Sequence, residues 1–327
     1  MGELADARVV SLTGVGGVGK TRLALEVGAE VMPDFRDGVW LVELAGVRDP
    51  EAVPDVVIGT FGLQPRAGLS ASEALQEFLQ TKTLLLLVDN CEHLLRAVAS
   101  LVDDVVRACP GVRVLATSRE GLNVAGERIL AVASLEVPDD AEDLAAIADC
   151  DAVVLFVERA RAVKAGFVLD DSNARDVAQI CRHLDGIALA IELAAARVAM
   201  LTPPDLARRL DQRFRLLSGG QRSAVERHQT LRAAVDWSYD LLSEAEQQLL
   251  DRLSIFVGGF SLDAAETVAA GGVVAPDAVF DALAALVARS LVVADTEGVD
   301  TRYRLLETIR QYAQEHLDGG GDGDRLR

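Results

Sequence analysis

The sequence predicts an α/β protein in which a parallel sheet is sandwiched by helices, followed by a small helical region and a second helical region that closes with a hairpin. Three observations carry that expectation. Between Arg8 and Val132, short apolar runs alternate with amphipathic segments, the pattern of strands joined by helical crossovers. These runs are continuous in Leu and Val, as burial on both faces of a sheet requires. Beyond Pro138 the strand signal ends and apolar residues recur at helical spacing, as at Val177, Ile180, Cys181 and Leu184.

Five strands are expected, at residues 8–13, 38–44, 83–88, 112–117 and 128–132. Helical periodicity then runs over residues 151–217, punctuated by Pro203 and Pro204, and Leu216, Leu217, Ser218, Gly219 and Gly220 read as a linker. From Gln229 onward short helices are expected at residues 231–241, 262–269 and 279–288, with another opened by Ser243, where Glu246 three residues later completes a capping box. Strands at residues 291–294 and 302–305, joined by the turn-forming Thr296, Glu297, Gly298, Val299 and Asp300, complete a winged helix. A last helix runs through Leu317, and residues 318–324 are Gly and Asp only, which predicts a disordered tail. The expected domains are therefore 1–138, 139–222 and 223–317, with 318–327 as tail.

A chain of 327 residues accommodates two domains, or three if one is small. Its 50% apolar and 25% charged residues are ordinary globular composition. With 32 basic and 51 acidic residues the net charge is -19, a field that repels phosphate-rich polymers. Cys91, Cys109, Cys150 and Cys181 are widely spaced, so neither a zinc cage nor a disulfide framework is indicated and a reducing cytoplasm fits. No apolar run approaches the 18 residues of a membrane span and no signal segment opens the chain, so a soluble cytoplasmic protein is expected.

The run ending at Thr13 leads directly into Gly14, Val15, Gly16, Gly17, Val18, Gly19, Lys20 and Thr21, which satisfies GxxxxGK[ST], and an amphipathic segment with Leu23, Ala24 and Val27 follows. This is a P-loop in its strand–loop–helix setting. Glycines let backbone N–H groups turn inward around phosphate oxygens, and the helix N-terminus adds roughly half a positive charge. Lys20 would reach the terminal phosphates and Thr21 would offer its hydroxyl to Mg2+. The strand at 83–88 runs into Asp89, a carboxylate able to hold Mg2+ opposite Thr21. Asn90 follows, and a neutral amide cannot serve as general base, so hydrolysis is expected to be slow. Glu92 lies nearby in sequence and could substitute as the base, but on a helix after Asp89 its direction is open, and a solvated first-turn glutamate is the favoured expectation. Arg119, after Thr117 and Ser118, should emerge at the same sheet edge, within reach of a γ-phosphate.

Together these blocks resemble the NB-ARC nucleotide-binding module of STAND-class signal-transduction ATPases, particularly those of large bacterial LuxR-type transcriptional regulators. The resemblance rests on Gly14 to Thr21 with Arg22, Leu23 and Ala24; on LLLLVDNCEHL, from Leu84 to Leu94; on Thr117, Ser118 and Arg119; on CRHLDGIALAIELAAAR, from Cys181 to Arg197; and on Tyr303 to Ala313. It implies a P-loop NTPase domain, a small helical domain and a winged helix that closes over bound ADP. It implies that Gly14 to Thr21 and Arg22 bind nucleotide, that Thr21 and Asp89 serve Mg2+, and that Lys20, Asp89 and the sensor arginine Arg119 support hydrolysis.

The family's Gly-Leu-Pro-Leu near the adenine falls on Gly186, Ile187, Ala188 and Leu189, with Ala188 in place of the proline. Ile187 and Ala188 are the adenine-side candidates by this correspondence. The Met-His-Asp triplet falls on Leu305, Leu306 and Glu307, and Leu306 cannot donate a hydrogen bond to a β-phosphate as histidine can. Seven residues before Arg8 leave no room for the family's upstream Gly-Arg-Glu segment, and a piece of a longer regulator with separate output and sensor domains is expected.

The resemblance implies an ATP/ADP-dependent switch that self-associates in its ATP state. A turnover P-loop ATPase or phosphotransferase is the alternative, which Asn90 and the scatter of His93, His183, His228 and His316 disfavour. Direct nucleic-acid binding by this segment is not expected. Arg209, Arg213, Arg215, Arg222 and Arg227 cluster near the linker but are interspersed with acids.

Overall fold

A computed structural model describes residues 4, 6–63, 68–139, 143–214, 232, 235–236, 238–269, 278–296 and 300–319, with 211–214 and 307 described for their backbone alone. The chain divides into two compact units, residues 1–15 with 19–133 and residues 16–18 with 134–327.

The first unit is a five-stranded parallel sheet of order β2-β3-β4-β1-β5. Its strands are β1 (Val9–Thr13), β2 (Val39–Glu43), β3 (Leu84–Asp89), β4 (Val112–Ser118) and β5 (Glu127–Ala131), each end within one residue of its expected position. Helices α1 (Lys20–Val31), α2 (Val53–Thr60), α3 (Ala71–Leu79) and α4 (Leu95–Ala108) cover it. Successive strand residues point to opposite faces and feed two apolar cores. One core joins Leu84, Leu86, Val88 and Val114 to Val57, Leu75, Leu79, Val98 and Val105 of α2, α3 and α4. The other joins Val10, Leu12, Leu85, Leu87 and Leu115 to Ala24 and Val31 of α1. Each fully buried Leu or Val contributes about 1.5–3 kcal/mol, so the Leu-rich β3 pins the middle of the sheet.

Burial on both faces holds for β1, β3 and β4 but not for the edges. Along β2 and β5 most positions stay half-buried or exposed, and Ile129 of β5 is an exposed apolar residue. A strand with one neighbour is flanked by fewer covering helices, which apolar content alone does not reveal.

The second unit begins with α5 (Leu144–Asp149), α6 (Asp151–Val163), α7 (Ala174–His183), α8 (Ala188–Ala195) and α9 (Pro203–Phe214). It continues with α10 (Glu244–Leu253), α11 (Leu262–Ala269), α12 (Val279–Ala288), the antiparallel pair β6 (Val293–Asp295) and β7 (Arg302–Arg304), and α13 (Glu307–Gly319). One apolar core runs through both regions, from Ile147, Phe156 and Ile180 to Leu249, Leu283 and Ala313. Ser243 and Glu246 form the expected capping box at the start of α10. Pro203 opens α9, where a missing N–H costs no helical bond.

β6 starts two residues later than expected because Ser290 is left-handed, with φ 58°, and ends α12. The N–H groups of Leu291 and Val292 then donate to the Leu286 carbonyl and are withheld from the strand. The linker at 216–220, the helix start at 231, the turn residues 297–299 and the tail beyond 319 lie outside the described residues.

Candidate functional site

The parallel register brings the carboxyl ends of three central strands to one edge. Thr13 of β1 lies beside Ser118 of β4, and Val88 of β3 lies beside Ala116, so Asp89 and Thr117 end adjacent strands. Ligands of open α/β sheets bind at this edge. The loop from Gly14 passes through three left-handed glycines, Gly14, Gly17 and Gly19, at φ 147°, 77° and 103°. Side chains disfavour these conformations, and glycine lets the backbone turn its N–H groups inward.

The first helical residue of α1 is Lys20, and its ammonium donates to the carbonyls of Gly14 at 2.9 Å and Val15 at 3.0 Å. Burial holds it below the usual lysine range; Glu92 and Asp89 pull it back up, and Arg119 adds to the depression. Lys20, Asp89, Glu92 and Arg119 therefore share one electrostatic neighbourhood. Thr21 Oγ1 donates to Asp89 Oδ1 at 2.8 Å, and the Thr117 hydroxyl donates to the same oxygen. A hydroxyl and a carboxylate in direct contact suit Mg2+, which keeps most of its waters and takes few protein ligands. Among the described residues no group of three or more His, Cys, Asp or Glu could hold a metal ion, so a dedicated protein cage is not offered.

Asn90 is left-handed, at φ 64° and ψ 48°, and its N–H donates to Thr117 Oγ1 at 3.1 Å. Asparagine tolerates this conformation better than most residues. The turn it makes corrects the expectation for Glu92. Cys91–His93 form a 3-10 turn in place of the start of an α-helix, and Glu92 is 19% exposed, with Oε1 3.4 Å from Arg119 Nε. Its Oε2 is buried without a hydrogen-bond partner. Burial pushes the Cys91 thiol far up, so this neighbour is no nucleophile.

Arg119 lies one residue past β4, 47% exposed, as expected at the sheet edge. Arg22 is exposed on α1. Thr117 is the residue whose part sequence reasoning missed, since its contact with Asp89 depends on β3 and β4 being neighbours.

The second unit holds the remaining candidates. Gly16–Val18 group with it, and within it the Leu189 N–H donates to the Gly17 carbonyl at 3.0 Å. Ile187 is buried and Ala188, the first residue of α8, is half-buried. Gly186 has φ 66°, and a Cβ there would lie 2.1 Å from the Leu135 carbonyl oxygen, which explains a glycine at this position. Leu305 is buried and Leu306 packs against the apolar core, while the Glu307 side chain lies outside the described residues.

The winged helix has a further property. The exposed positions of α12 are Phe280, Asp281, Ala284 and Ala288, with no cation among them. Arg209 is exposed, and the side chains of Arg213, Arg215, Arg222 and Arg227 lie outside the described residues. Among the described residues no helix is long and apolar enough to cross a membrane.

Residues 242–318 match the family described as Winged helix-turn-helix domain. A protein of Mycobacterium tuberculosis provisionally named HTH-type transcriptional regulator Rv0890c is 47% identical over 321 residues, 98% of this chain and 35% of its own length. The chain thus spans about a third of that relative. The uncharacterized protein Rv0894 of the same organism is 41% identical over 329 residues, covering 99% of this chain and 80% of its own length. The regulatory protein AfsR of Streptomyces coelicolor is 29% identical over 336 residues, covering 96% of this chain and 30% of its own length. Among solved structures, the STAND protein with a tetratricopeptide repeat sensor, PH0952 from Pyrococcus horikoshii, superposes with TM-score 0.57 at 15% identity. That superposition covers 98% of this chain and 42% of the other. With 41% identity over four-fifths of Rv0894, the chain belongs to that mycobacterial protein's family, and its P-loop sheet followed by a winged helix shares the fold of PH0952.

Proposed function

We propose that the chain is an ATP/ADP-binding regulatory switch, the core of a transcriptional or signalling regulator, in which slow ATP hydrolysis controls interdomain closure and self-association. The observation that carries this reading is the convergence of Lys20, Thr21, Asp89 and Arg119 on one sheet edge beside the glycine loop. Gly14 to Thr21 and Arg22 cradle the phosphates, Lys20 leaves its loop carbonyls for the terminal phosphates, and Arg119 answers the γ-phosphate. Thr21 and Asp89 hold Mg2+, whose charge offsets that of the phosphates. Ile187 and Ala188 supply apolar surface to the adenine.

Coupling of about 1–3 kcal/mol between nucleotide and interdomain state is sufficient for such a switch. The relatives named as regulators support a role in transcription, with output and sensor domains elsewhere in a longer chain. The four buried cysteines form no disulfide with one another, which is consistent with a cytoplasmic protein. The match to a winged helix-turn-helix family favours DNA contact, and the cation-free exposed face of α12 argues against it here. We place the winged helix in the switch itself.

Sedimentation of the full chain with Mg-ADP and with a non-hydrolysable ATP analogue tests the reading. A monomer with ADP and a larger species with the analogue are expected; identical profiles at saturating nucleotide contradict it. A gel shift at low salt accompanies it, with no retained duplex expected.

A further inference from the structure

We propose that Glu92 is the carboxylate that accepts the proton of the attacking water in ATP hydrolysis, and that its ion pair with Arg119 restrains it until a γ-phosphate draws the guanidinium away. The proposal rests on the nucleotide-binding reading above and adds the identity of the base.

Asn90, the residue after the strand-end aspartate, has no proton-accepting carboxylate and spends its N–H on Thr117. Asp89 Oδ1 already accepts from Thr21 and Thr117, which ties that carboxylate in place. Glu92 differs in kind. The left-handed Asn90 and the 3-10 turn after it leave Glu92 paired with Arg119 and in the electrostatic neighbourhood of Lys20. One of its oxygens meets Arg119, and the other is buried with no hydrogen-bond partner.

A buried carboxylate oxygen without a partner is costly and calls for an explanation; Asp251 Oδ1 is in the same state, and what singles out Glu92 Oε2 is the company of Lys20 and Arg119 at the glycine loop. A water between Oε2 and the phosphate would do so. In the reaction the water oxygen bonds to the γ-phosphorus as the bond from that phosphorus to the β-phosphate bridging oxygen breaks. The bonding pair leaves with ADP. The water's proton passes to Glu92 Oε2 and from there to solvent.

The partner explains why turnover would be slow. Arg119 is about half exposed, and ion pairs of that kind are worth little, whereas a guanidinium fork on phosphate is one of the stronger hydrogen-bonded pairs. Arrival of the γ-phosphate can therefore exchange one pair for the other, and Glu92 becomes available only when the nucleotide that needs it is present.

The test uses the full chain with Glu92→Gln and, because Gln could perturb folding, Glu92→Asp. Glu92→Asp keeps the charge but withdraws the carboxylate by one methylene. Single-turnover hydrolysis of Mg-ATP is read beside calorimetric affinities for ADP and for adenylyl imidodiphosphate. For Glu92→Gln, hydrolysis is expected to fall about 100-fold or more while ADP affinity stays within about threefold, the size of effect general-base removal produces. Affinity for the imidodiphosphate is expected to rise, since Arg119 no longer faces a charged competitor. For Glu92→Asp a loss of about tenfold or more is expected, with ADP affinity again unchanged.

Hydrolysis by Glu92→Gln within threefold of the parent overturns the proposal, as does a parent that binds ADP but hydrolyses ATP no faster than buffer. Parallel loss of ADP binding in both variants makes Glu92 a structural part of the cradle and also overturns it. A parent that binds no nucleotide removes the switch reading together with this one.

Discussion

The carboxyl edge of the sheet and the winged helix both withdraw charged side chains from water, and they leave those charges in different states. At the edge, Lys20 rests on loop carbonyls that a phosphate can replace, and Glu92 faces a half-exposed Arg119 that a phosphate can draw away. In the winged helix the charges are bound into the packing. Arg289 pairs with Glu246, the carboxylate that also completes the capping box of α10, and Arg252 is almost fully buried and donates through Nη1 to the Ala269 carbonyl at 3.1 Å. Asp251 takes a 2.7 Å hydrogen bond from the Tyr239 hydroxyl, beside a cluster of Tyr239, Tyr312 and His316 rings. Burial pushes its carboxyl up to about 6, against the opposing pull of Tyr239 and His316. Charges that hold exchangeable partners mark a site, whereas charges fixed by the fold mark a cost of packing.

That contrast is sharpest at Asp251. Its folded-state value lies above the unfolded one near 3.8, so the folded chain binds the extra proton. Its contribution is fully present below about pH 4 and is lost as pH rises to about 6, a cost on the order of 2–3 kcal/mol at neutrality. Asp251→Asn should therefore stabilise the protein by about 1–2 kcal/mol at pH 7 in denaturant titration, with the gain vanishing near pH 4 and ADP affinity unchanged. A destabilised variant at pH 7 would place Asp251 among the functional charges.

Thr117→Val should do the reverse. It removes one hydroxyl from Asp89 at nearly constant volume, and Mg-ATP affinity should fall by about three- to tenfold in calorimetry, with a stability change of about 1 kcal/mol. Unchanged affinity would make the Thr117 contact mere packing. The smallest effect belongs to Phe280→Ala on the 54% exposed position of α12, which should shift stability by no more than about 0.5 kcal/mol and leave nucleotide binding untouched.

Much of this was legible beforehand because its physical causes are local. Leu and Val runs gave the strands to within a residue, and GxxxxGK[ST] named the loop, since each of its positions has a separate chemical requirement. What depended on strand order was hidden. Thr117 becomes a partner of Asp89 only once β4 lies beside β3, and no spacing in the sequence states that neighbour. The aim of Glu92 was hidden for a different reason: a single left-handed residue, Asn90, turns the chain and replaces the first helical turn with a 3-10 turn. The edge strands looked like the central ones because apolar content does not say how many neighbours a strand has.

Nucleotide binding through the Lys20 ammonium underlies both the switch and the role given to Glu92. Calorimetric titration of Mg-ADP into the parent chain and into Lys20→Ala, at equal folded fraction, measures it directly. Saturable binding by the parent and a loss of at least about 30-fold in the variant, or about 2 kcal/mol, are expected from removing a half-buried, hydrogen-bonded charge. Equal affinities in the two proteins, or no heat in either, would contradict it.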